Sequence, residues 1–392
     1  MVAANWGSYV ILPLWMISGA AAAPTYGTDA AQAFEALQSW YNASSGLWDT
    51  TGWWNSANCL TVLGNLAATE SDLQPYISTI LANSFAQAPQ FNLQMTKVVQ
   101  ADFNIASLYG ADVAVRSTVK TLAINPKGFL NGFYDDEGWW ALGWIQAYDV
   151  TQNQDYLSTA ASIFEDMKNG STTPCGGIWW DKAETYVNAI ANELYLSVAS
   201  HLSNRMSDRQ YYLDTALTQW DFLKNSGMLN SNNLFNDGLD TSCRNNNGTV
   251  WSYNQGVVLG ALVELNIAAP NTEYITAAKN IAHASITALG DTTGVLHDVC
   301  EPNCGGDGNQ FKGILMRNLQ KLQTAAPDSV VLEFIATNAA SIWSKARDSQ
   351  NQLGLVWSGP VGGADAATQS SAMDALIAGA AFGDLLQNAI IS

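Results

Sequence analysis

Most of the chain follows a helical pattern of hydrophobic and polar positions. One group of segments carries a single apolar stripe at positions i, i+4, i+7, i+8 and i+11, for example Tyr156, Ala160, Ile163, Phe164 and Met167. That spacing is typical of an amphipathic helix with one buried face. Alternating patterns, which would indicate β-strands, are scarce. The sequence therefore predicts an all-α protein.

A second group of helical segments is apolar on more than one side, and each begins with a loop that contains Gly or an aromatic residue. Six such starts occur, at residues 52–58, 135–140, 177–181, 251–256, 310–314 and 356–359. An amphipathic segment of the first group separates most of them, at an irregular spacing of roughly 45–80 residues. The alternation predicts helical hairpins closed into a ring, with the starts around one mouth. A superhelical array of helix pairs is the alternative, but it would not gather the six starts around one pocket.

Small residues indicate that the predicted inner helices pack closely. Gly256, Gly260 and Ala261 fall on one of the segments that are apolar on several sides. Each glycine costs about 1 kcal/mol of helix propensity, so packing or function must offset that cost.

The composition fits a large apolar core and argues against nucleic acid as a partner. Of 392 residues, 48% are hydrophobic and only 13% are charged, against a usual charged share of roughly 25%. The net charge is −18, and without a basic patch the chain would repel a polyanion. Fifteen Trp are more than packing alone explains, and aromatic-rich clefts commonly bind carbohydrate. Acidity also aids solubility, whatever the ligand.

The N-terminal residues 1–23 resemble a secretory signal peptide, although they lack a basic residue before the apolar run. Residues 9–17 are apolar, and alanines at 20–23 offer a cleavage site. The apolar run is too short for a comfortable membrane span. No linker divides residues 24–392, so we expect one domain, secreted or held at the cell wall, without a transmembrane segment and monomeric.

Three Asn-X-Ser/Thr sequons agree with export, although chance alone supplies a few in a chain of this size. They predict glycosylation of Asn42, Asn169 and Asn247.

Five cysteines leave at least one without an intramolecular partner. Cys300 and Cys304 are placed to close a short loop, and Cys175 and Cys243 to connect two loops, while Cys59 falls in an apolar helical pattern typical of a buried thiol. Zinc bound by His297, Cys300 and Cys304 is an alternative, but disulfides suit an exported protein better. We therefore expect neither a metal nor a cofactor.

Two consecutive carboxylates, Asp135 and Asp136, lie among aromatic residues in the segment 133–140. Adjacent carboxylates repel each other and lose solvation beside apolar rings, so their pKa values should separate. A proton donor and an anionic partner at one site are what cleavage of a glycosidic bond requires. The plainer interpretation is a helix N-terminus, where acidic residues are favoured.

Several motifs in one order resemble the family-76 glycoside hydrolases, which include endo-α-1,6-mannanases and fungal cell-wall relatives. The motifs are GWWNSAN at 52–58, YDDEGWW at 134–140, CGGIWW at 175–180, YNQGVVLG at 253–260, and FKGI at 311–314 with RNL at 317–319. The resemblance covers most of residues 40–385 and implies an (α/α)6 barrel of six helical hairpins. It also implies cleavage of α-1,6-mannan with net retention, with Asp135 as nucleophile and Asp136 as general acid/base.

Other residues near the motifs are candidates for binding a sugar. Tryptophan faces and neutral hydrogen-bonding side chains suit a polysaccharide, and each has a structural alternative in core packing, helix capping or satisfaction of buried backbone groups. Lys312, a rare positive charge, is suited to contact a sugar oxygen or to steady a carboxylate, and a surface salt bridge is an equally good interpretation. The candidates are Asn55, Asn58, Trp139, Trp140, Trp180, Asp181, Asn254, Gln255 and Lys312.

The leading hypothesis is a secreted retaining glycoside hydrolase that cuts within α-1,6-mannan. A transglycosidase that moves mannan-linked chains would use the same aspartates. A non-catalytic mannan-binding wall protein and an enzyme for a different polysaccharide are further alternatives.

Overall fold

The computed structural model describes residues 26–92, 97–99, 105–107, 128–383 and 385. The predicted signal peptide, residues 1–23, lies outside the described residues. Within them, no helix combines the length and the apolar character needed to cross a bilayer.

Helices dominate the described chain, and the long ones alternate between two layers. In chain order they are α1 (Tyr26–Gln38), α2 (Trp53–Thr69), α3 (Gln74–Gln87), α4 (Tyr134–Thr151), α5 (Gln154–Lys168), α6 (Ala189–Ser203), α7 (Arg209–Asn225), α8 (Ser252–Ala268), α9 (Thr272–Leu289), the single turn α10 (Gly305–Gly308), α11 (Phe311–Ala325), α12 (Ser329–Lys345) and α13 (Ala366–Ala381). Short 3-10 turns occupy Ser71–Leu73 and Ala88–Phe91.

Six of these helices form a closed inner ring. Each packs against the next in the order α2, α4, α6, α8, α11 and α13, and α13 returns to α2. The other long helices, α1, α3, α5, α7, α9 and α12, pack around the outside. The prediction of an (α/α)6 barrel is confirmed, and the superhelical array is excluded because the inner ring closes.

The strands are short, and each belongs to a two-stranded antiparallel pair. β1 (Tyr41–Asn42) pairs antiparallel with β2 (Leu47–Trp48), and β3 (Lys97–Val99) with β4 (Ile105–Ser107). Neither pair extends into a larger sheet among the described residues.

The outer helix α5 shows how the amphipathic pattern forms this layer. The stripe predicted from the sequence is buried, together with Leu157, and the other face meets solvent. At the start of the helix, the Asn153 side chain accepts a hydrogen bond from the Asp155 N–H at 3.0 Å, which satisfies one of the unpaired donors of the first turn.

The inner helices are buried on nearly all sides, as the second pattern predicts. All fifteen residues of α6 are buried. Four of the six predicted starts coincide with helix N-termini, but 177–181 and 356–359 precede their helices by several residues. Those helices begin where Asn188 and Asp365 cap the backbone, because the Gly- and Trp-containing segments before them form loops.

Close approach of inner helices depends on small residues, as predicted. A Cβ atom added to Gly256 would lie 2.6 Å from the Leu315 Cα on α11. A Cβ atom on Gly313 would collide with the backbone of Ser371 on α13. Because the neighbouring atoms are backbone, the inner ring cannot relax around a larger residue.

Replacement of Gly256 by Ala should destabilise the protein even though Ala favours helix. The propensity gain is about 1 kcal/mol, whereas overpacking against backbone costs about 1–3 kcal/mol. We expect a net loss on the order of 1 kcal/mol in the free energy of unfolding, measured by urea titration.

The matched control is Gly64→Ala on α2, where the three atoms nearest to the added Cβ all belong to the side chain of Gln146 and not to backbone. It should be neutral or stabilising. Equal effects of the two substitutions would contradict the packing argument.

Polar residues in the inner ring include one buried acid, Glu193 on α6. Its side chain is fully buried, and neither carboxyl oxygen has a hydrogen-bond partner among the described residues. Burial, and to a smaller degree the charge of Asp237, raises the pKa of Glu193 well above its usual value. Burial therefore favours the neutral form of Glu193 in the folded protein.

The raised pKa of Glu193 gives stability a pH dependence of defined sign. Above its ordinary pKa of 4.5, Glu193 ionises in the unfolded chain only, so it lowers stability as pH rises. Glu193→Gln should therefore raise the unfolding free energy more at pH 7 than at pH 4, as measured by denaturant titration. The exposed Glu35→Gln serves as control, and an equal effect of Glu193→Gln at both pH values would show that the folded carboxyl is ionised.

Candidate active site

The N-terminal ends of the inner helices surround one cavity. Residues from the first turns of α2, α4, α8 and α11 line it, together with residues from the loops before α8 and α11. They are Trp54, Asp135, Trp139, Asp237, Trp251, Tyr253, Cys304, Asp307, Gly308 and Phe311. Four of the six predicted starts therefore meet at one pocket, whereas residues 177–181 and 356–359 do not line it.

Aromatic rings form much of the cavity wall. Trp54 stacks on Trp139 with ring centroids 5.5 Å apart, and Tyr253 stacks on Phe311 at 3.9 Å. The edge of Trp251 meets Phe311 at 5.4 Å. Packed against one another, these rings have little freedom to move, and they give the cavity flat apolar surfaces.

Asp135 and Asp136 occupy the first turn of α4. Asp135 lines the cavity and is 7% exposed. Asp136 is 1% exposed, and its Oδ2 accepts a hydrogen bond from the Asn131 Nδ2 at 2.7 Å. The unpaired N–H groups at a helix start favour both carboxylates. The structure thus puts one aspartate on the cavity wall and fixes its neighbour through Asn131.

The third acidic residue of this turn, Glu137, has a structural role. It is fully buried and accepts hydrogen bonds from the Asn131 N–H at 2.7 Å and from the Lys182 Nζ at 2.6 Å. Burial raises the pKa of Glu137, and the Lys182 charge opposes the rise. Glu137 therefore fastens the loop before α4 to the loop that contains Lys182.

Asp237 is a second carboxylate on the cavity wall, one that the sequence reasoning missed. It is 2% exposed, and its Oδ2 accepts a hydrogen bond from the Tyr186 hydroxyl at 2.7 Å. Burial raises the pKa of Asp237 to about 7, opposed by the Tyr186 hydrogen bond and assisted by the charge of Asp135. Its only signal in the sequence, an Asp before Gly238 in a polar loop, is equally typical of a turn.

Asp307 is a third cavity carboxylate that the sequence reasoning missed. It lies in the single turn α10, and its Oδ1 accepts a hydrogen bond from the Trp54 Nε1 at 2.6 Å. Asp307 and Trp54 are distant in the sequence, and no local pattern connects them.

Two of the predicted sugar platforms lie in the core instead of on the cavity wall. Trp140 is completely buried and packs against Trp53 and Phe129 at 4.7 and 4.9 Å between ring centroids. Trp180 is 1% exposed and packs against Phe133 at 5.0 Å. Of the three tryptophans proposed from the sequence, Trp139 alone lines the cavity. Trp140 follows it on α4 and lies in the core because successive helix positions face different directions, and Trp180 lies in the loop before α6.

Three of the predicted polar contacts hold backbone instead of facing the cavity. Asp181 accepts hydrogen bonds from the Thr185 backbone and hydroxyl, both at 2.8 Å. Gln255 accepts from the Phe235 N–H at 2.8 Å and donates to the Phe235 carbonyl at 2.9 Å. Asn55 donates to the Gly306 carbonyl at 3.4 Å. The structural roles considered for these residues, helix capping and satisfaction of buried backbone groups, account for their positions.

The remaining asparagines lie inside the ring. Asn58 donates to the Trp54 carbonyl at 3.2 Å and accepts from the Arg317 guanidinium at 2.5 Å. Asn254 is completely buried, and its amide atoms have no hydrogen-bond partner among the described residues. Neither side chain belongs to the cavity lining.

Lys312, the rare cation at the start of α11, anchors loops and does not line the cavity. Its Nζ pairs with Glu301 at 2.6 Å and donates to the Leu355 carbonyl at 2.7 Å. It also lies over the Trp357 ring at 4.4 Å. Both members of the ion pair are buried, so the pair connects the loop before α10 and the loop before α13 to the inner ring.

The structure contains two disulfides, Cys175–Cys243 and Cys300–Cys304. The zinc hypothesis is wrong because both of its cysteines are in a disulfide. Cys59 is a buried free thiol. The sequon residues Asn169 and Asn247 are exposed and Asn42 is partly exposed, so all three lie at the surface.

Replacement of Lys312 by Met should destabilise the protein strongly. Loss of the ammonium leaves the buried Glu301 carboxylate with the His297 imidazole, 2.7 Å away, as its remaining ionisable partner, and breaking a buried pair costs about 3–5 kcal/mol. The measurement is the unfolding free energy by denaturant titration. Lys279→Met, at a partly exposed pair with Asp328 of 3.7 Å, is the control and should cost under about 1 kcal/mol; equal losses would mean that Lys312 does not stabilise the loops through charge.

Curated proteins similar to this chain are fungal enzymes. The mannan endo-1,6-alpha-mannosidase DFG5 of Candida albicans is 24% identical over 272 residues, which cover 62% of this chain and 60% of that protein. The protein of the same name from Saccharomyces cerevisiae is 26% identical over 213 residues, 49% of this chain and 46% of that protein. The chain thus spans about half to three fifths of the length of these relatives.

Solved structures share the fold. The alpha-1,6-mannanase GH76A of Salegentibacter sp., as an inactive variant in complex with alpha-1,6-mannotriose, superposes with a TM-score of 0.73 at 22% identity, covering 91% of this chain and 99% of that one. Dfg5 from Chaetomium thermophilum, in complex with glucosamine, gives 0.73 at 15% identity over 92% and 90% of the two chains.

The sequence profile described as Glycosyl hydrolase family 76 matches residues 22–384. This match covers the inner ring, the cavity and the consecutive aspartates of α4. The chain therefore belongs to glycosyl hydrolase family 76.

Proposed function

We propose that this protein is a retaining glycoside hydrolase that cleaves α-1,6-mannosidic bonds within mannan. The observation that carries the proposal is Asp135, which lies on the wall of an aromatic cavity and directly precedes Asp136 in the first turn of α4. A carboxylate in a partly desolvated pocket is suited to attack a sugar carbon or to move a proton.

The cavity suits a neutral polysaccharide. The aromatic rings of Trp54, Trp139 and Phe311 line the cavity, and apolar ring surfaces match the C–H faces of a pyranose. Among the described residues that line the cavity, none is basic. Negative carboxylates stabilise the positive charge that develops on the sugar ring in the transition state, whereas they would repel an anionic ligand.

In the proposed first step, an Asp135 carboxylate oxygen attacks the anomeric carbon of a mannosyl unit as the bond to the glycosidic oxygen breaks. The Asp136 carboxylic acid transfers its proton to that leaving oxygen. The products are a mannosyl ester of Asp135 and a shortened chain with a free hydroxyl.

In the second step, the Asp136 carboxylate accepts a proton from water while the water oxygen attacks the same anomeric carbon. The ester bond to Asp135 breaks, and both aspartates return to their starting states. Two inversions at one carbon give net retention.

Named relatives support the substrate class. The curated fungal proteins are mannan endo-1,6-alpha-mannosidases, and the Salegentibacter structure holds alpha-1,6-mannotriose in a variant made inactive by replacement of two consecutive aspartates. Residues 1–23 and the surface position of the sequons support action outside the cell, free or at the cell wall.

Replacement of either aspartate by asparagine should abolish release of reducing ends from linear α-1,6-mannan. We expect a loss of about 10²–10⁴-fold for Asp136→Asn, because general acid/base catalysis contributes that much, and a larger loss for Asp135→Asn. Asp155→Asn, exposed in the first turn of α5, is the matched control and should keep full activity.

An aryl α-1,6-mannobioside separates the two roles, because an aryl leaving group needs little protonation. Asp136→Asn should keep most of its first-step rate with this substrate, as seen in a burst of the phenol, whereas Asp135→Asn should not. Turnover of mannan by both single variants, with intact circular dichroism, would overturn the assignment.

The product profile tests the reaction type. A ladder of oligosaccharides supports cleavage within the chain, and free mannose alone would contradict it. Longer products in the presence of an acceptor sugar would indicate transfer, and binding without any product would indicate a non-catalytic wall protein.

A further inference from the structure

We propose that Asp307 binds hydroxyl groups of the glycan in the cavity and that the Cys300–Cys304 disulfide positions it for this role. The inference rests on the proposed function, since it names a substrate-binding residue of the same site. The segment that carries both features, residues 297–310, is called the rim segment below.

The rim segment supplies one wall of the cavity. Cys304, Asp307 and Gly308 all line the same pocket as Asp135. Among the cavity residues, only these three come from a segment that belongs to neither an inner helix start nor the loop before α8. A chain bound against Asp135 therefore meets the rim segment as well.

Asp307 lies next to the indole ring of Trp54. Its Oδ1 accepts a hydrogen bond from the Trp54 Nε1 at 2.6 Å, and the same indole stacks on Trp139. A carboxylate accepts hydrogen bonds from neighbouring sugar hydroxyls, while the indole face covers the apolar side of the ring. Asp307 and Trp54 together present both kinds of contact to one pyranose.

The disulfide supports the turn next to Asp307. A Cβ atom on Gly308 would lie 2.7 Å from the Cys304 Cβ and 3.3 Å from the Cys300 Sγ. Gly308 therefore rests directly on the bridged cysteines. The disulfide closes a loop with a sequence separation of only 4, so it sets the path of the chain immediately before Asp307.

Contacts to other elements secure the base of the rim segment. Asp298 accepts a hydrogen bond from the Ser252 hydroxyl at 2.6 Å, and Glu301 pairs with Lys312.

The disulfide is the covalent restraint on the turn that contains Asp307. Hydrogen bonds from Trp54 to Asp307, from Asn55 to the Gly306 carbonyl at 3.4 Å and from Asn309 to Asp365 at 2.8 Å also hold this part of the chain. Removal of the disulfide should therefore loosen this turn without unfolding the barrel.

Reduction would release the turn. A dithiol reductant gives two electrons and two protons to the Cys300–Cys304 bond, which becomes two thiols, and the reductant becomes a disulfide. The proposal thus makes tight glycan binding depend on an oxidising environment, as is usual for exported proteins.

The test compares kcat and KM on α-1,6-mannotetraose for wild type, Asp307→Asn and Cys300→Ser/Cys304→Ser. A hydrogen bond to a charged group that is lost on substitution weakens binding by roughly tenfold or more. We expect KM to rise roughly tenfold in both variants, with kcat changed by less than about twofold, because the reacting bond is held by other residues.

A double-mutant cycle distinguishes positioning from general loosening. If the disulfide acts through Asp307, its removal in the Asp307→Asn background should raise KM little further. Additive effects of the two changes would overturn the link between them. An unchanged KM in Asp307→Asn would overturn the binding role itself.

Two controls match the changes. Asp291→Asn removes a carboxylate from an exposed turn of the loop that follows α9, and Cys175→Ser/Cys243→Ser removes the other disulfide. Both should keep the wild-type KM at a temperature where circular dichroism shows them folded. An inactive wild type would count against the proposed function, whereas an active wild type with an unaltered Asp307 variant would count against this inference alone.

Discussion

Close contact between inner helices is the constraint on which the rest of the structure depends. Gly256 lies against the Leu315 backbone, and Gly313 against Ser371, so α8, α11 and α13 approach one another at backbone distance. A ring this tight buries its helices on all sides, and every polar group within it needs a partner inside the protein.

Amide side chains supply some of these hydrogen-bond partners, and two inner helices do so in the same way. Asn192 accepts from the Ile178 N–H at 2.8 Å and donates to the Ile178 carbonyl at 2.9 Å, and Gln255 holds Phe235 in the same manner. Each inner-helix amide thus fixes a buried residue of the loop that leads to its own helix. These hydrogen bonds place the loops over the mouth of the ring and so define the shape of the cavity.

The acidic residues near the ring fall into two groups, those in ion pairs and those on the cavity wall. Lys182 pairs with Glu137, Lys312 with Glu301, and Arg317 with Asp374 at 3.0 Å. These few cations neutralise structural acids, while Asp135, Asp237 and Asp307 face the cavity. The resulting negative cavity suits a reaction in which a sugar ring becomes positively charged, and it agrees with the large acidic excess of the whole chain.

The sequence predicted the helical layers well because the patterns that form them are local. The stripe on α5 and the uniformly apolar α6 differ in the number of faces that they bury, and periodicity reports that number directly. Site residues were harder to predict. Trp139 and Trp140 are adjacent and chemically identical, yet one lines the cavity and the other packs in the core.

By itself, the sequence determined the all-α architecture and the consecutive carboxylates at a helix start, because each depends on neighbouring residues along one helix. It also indicated close packing at Gly256, but only the tertiary structure identified the partner, Leu315 on α11. Only the tertiary structure decided that Asp237 and Asp307 join Asp135 at one cavity, and that Lys312 anchors loops. Those outcomes depend on how the ring closes and on which groups, distant in the sequence, it brings within hydrogen-bonding distance. A local sequence pattern does not contain this information.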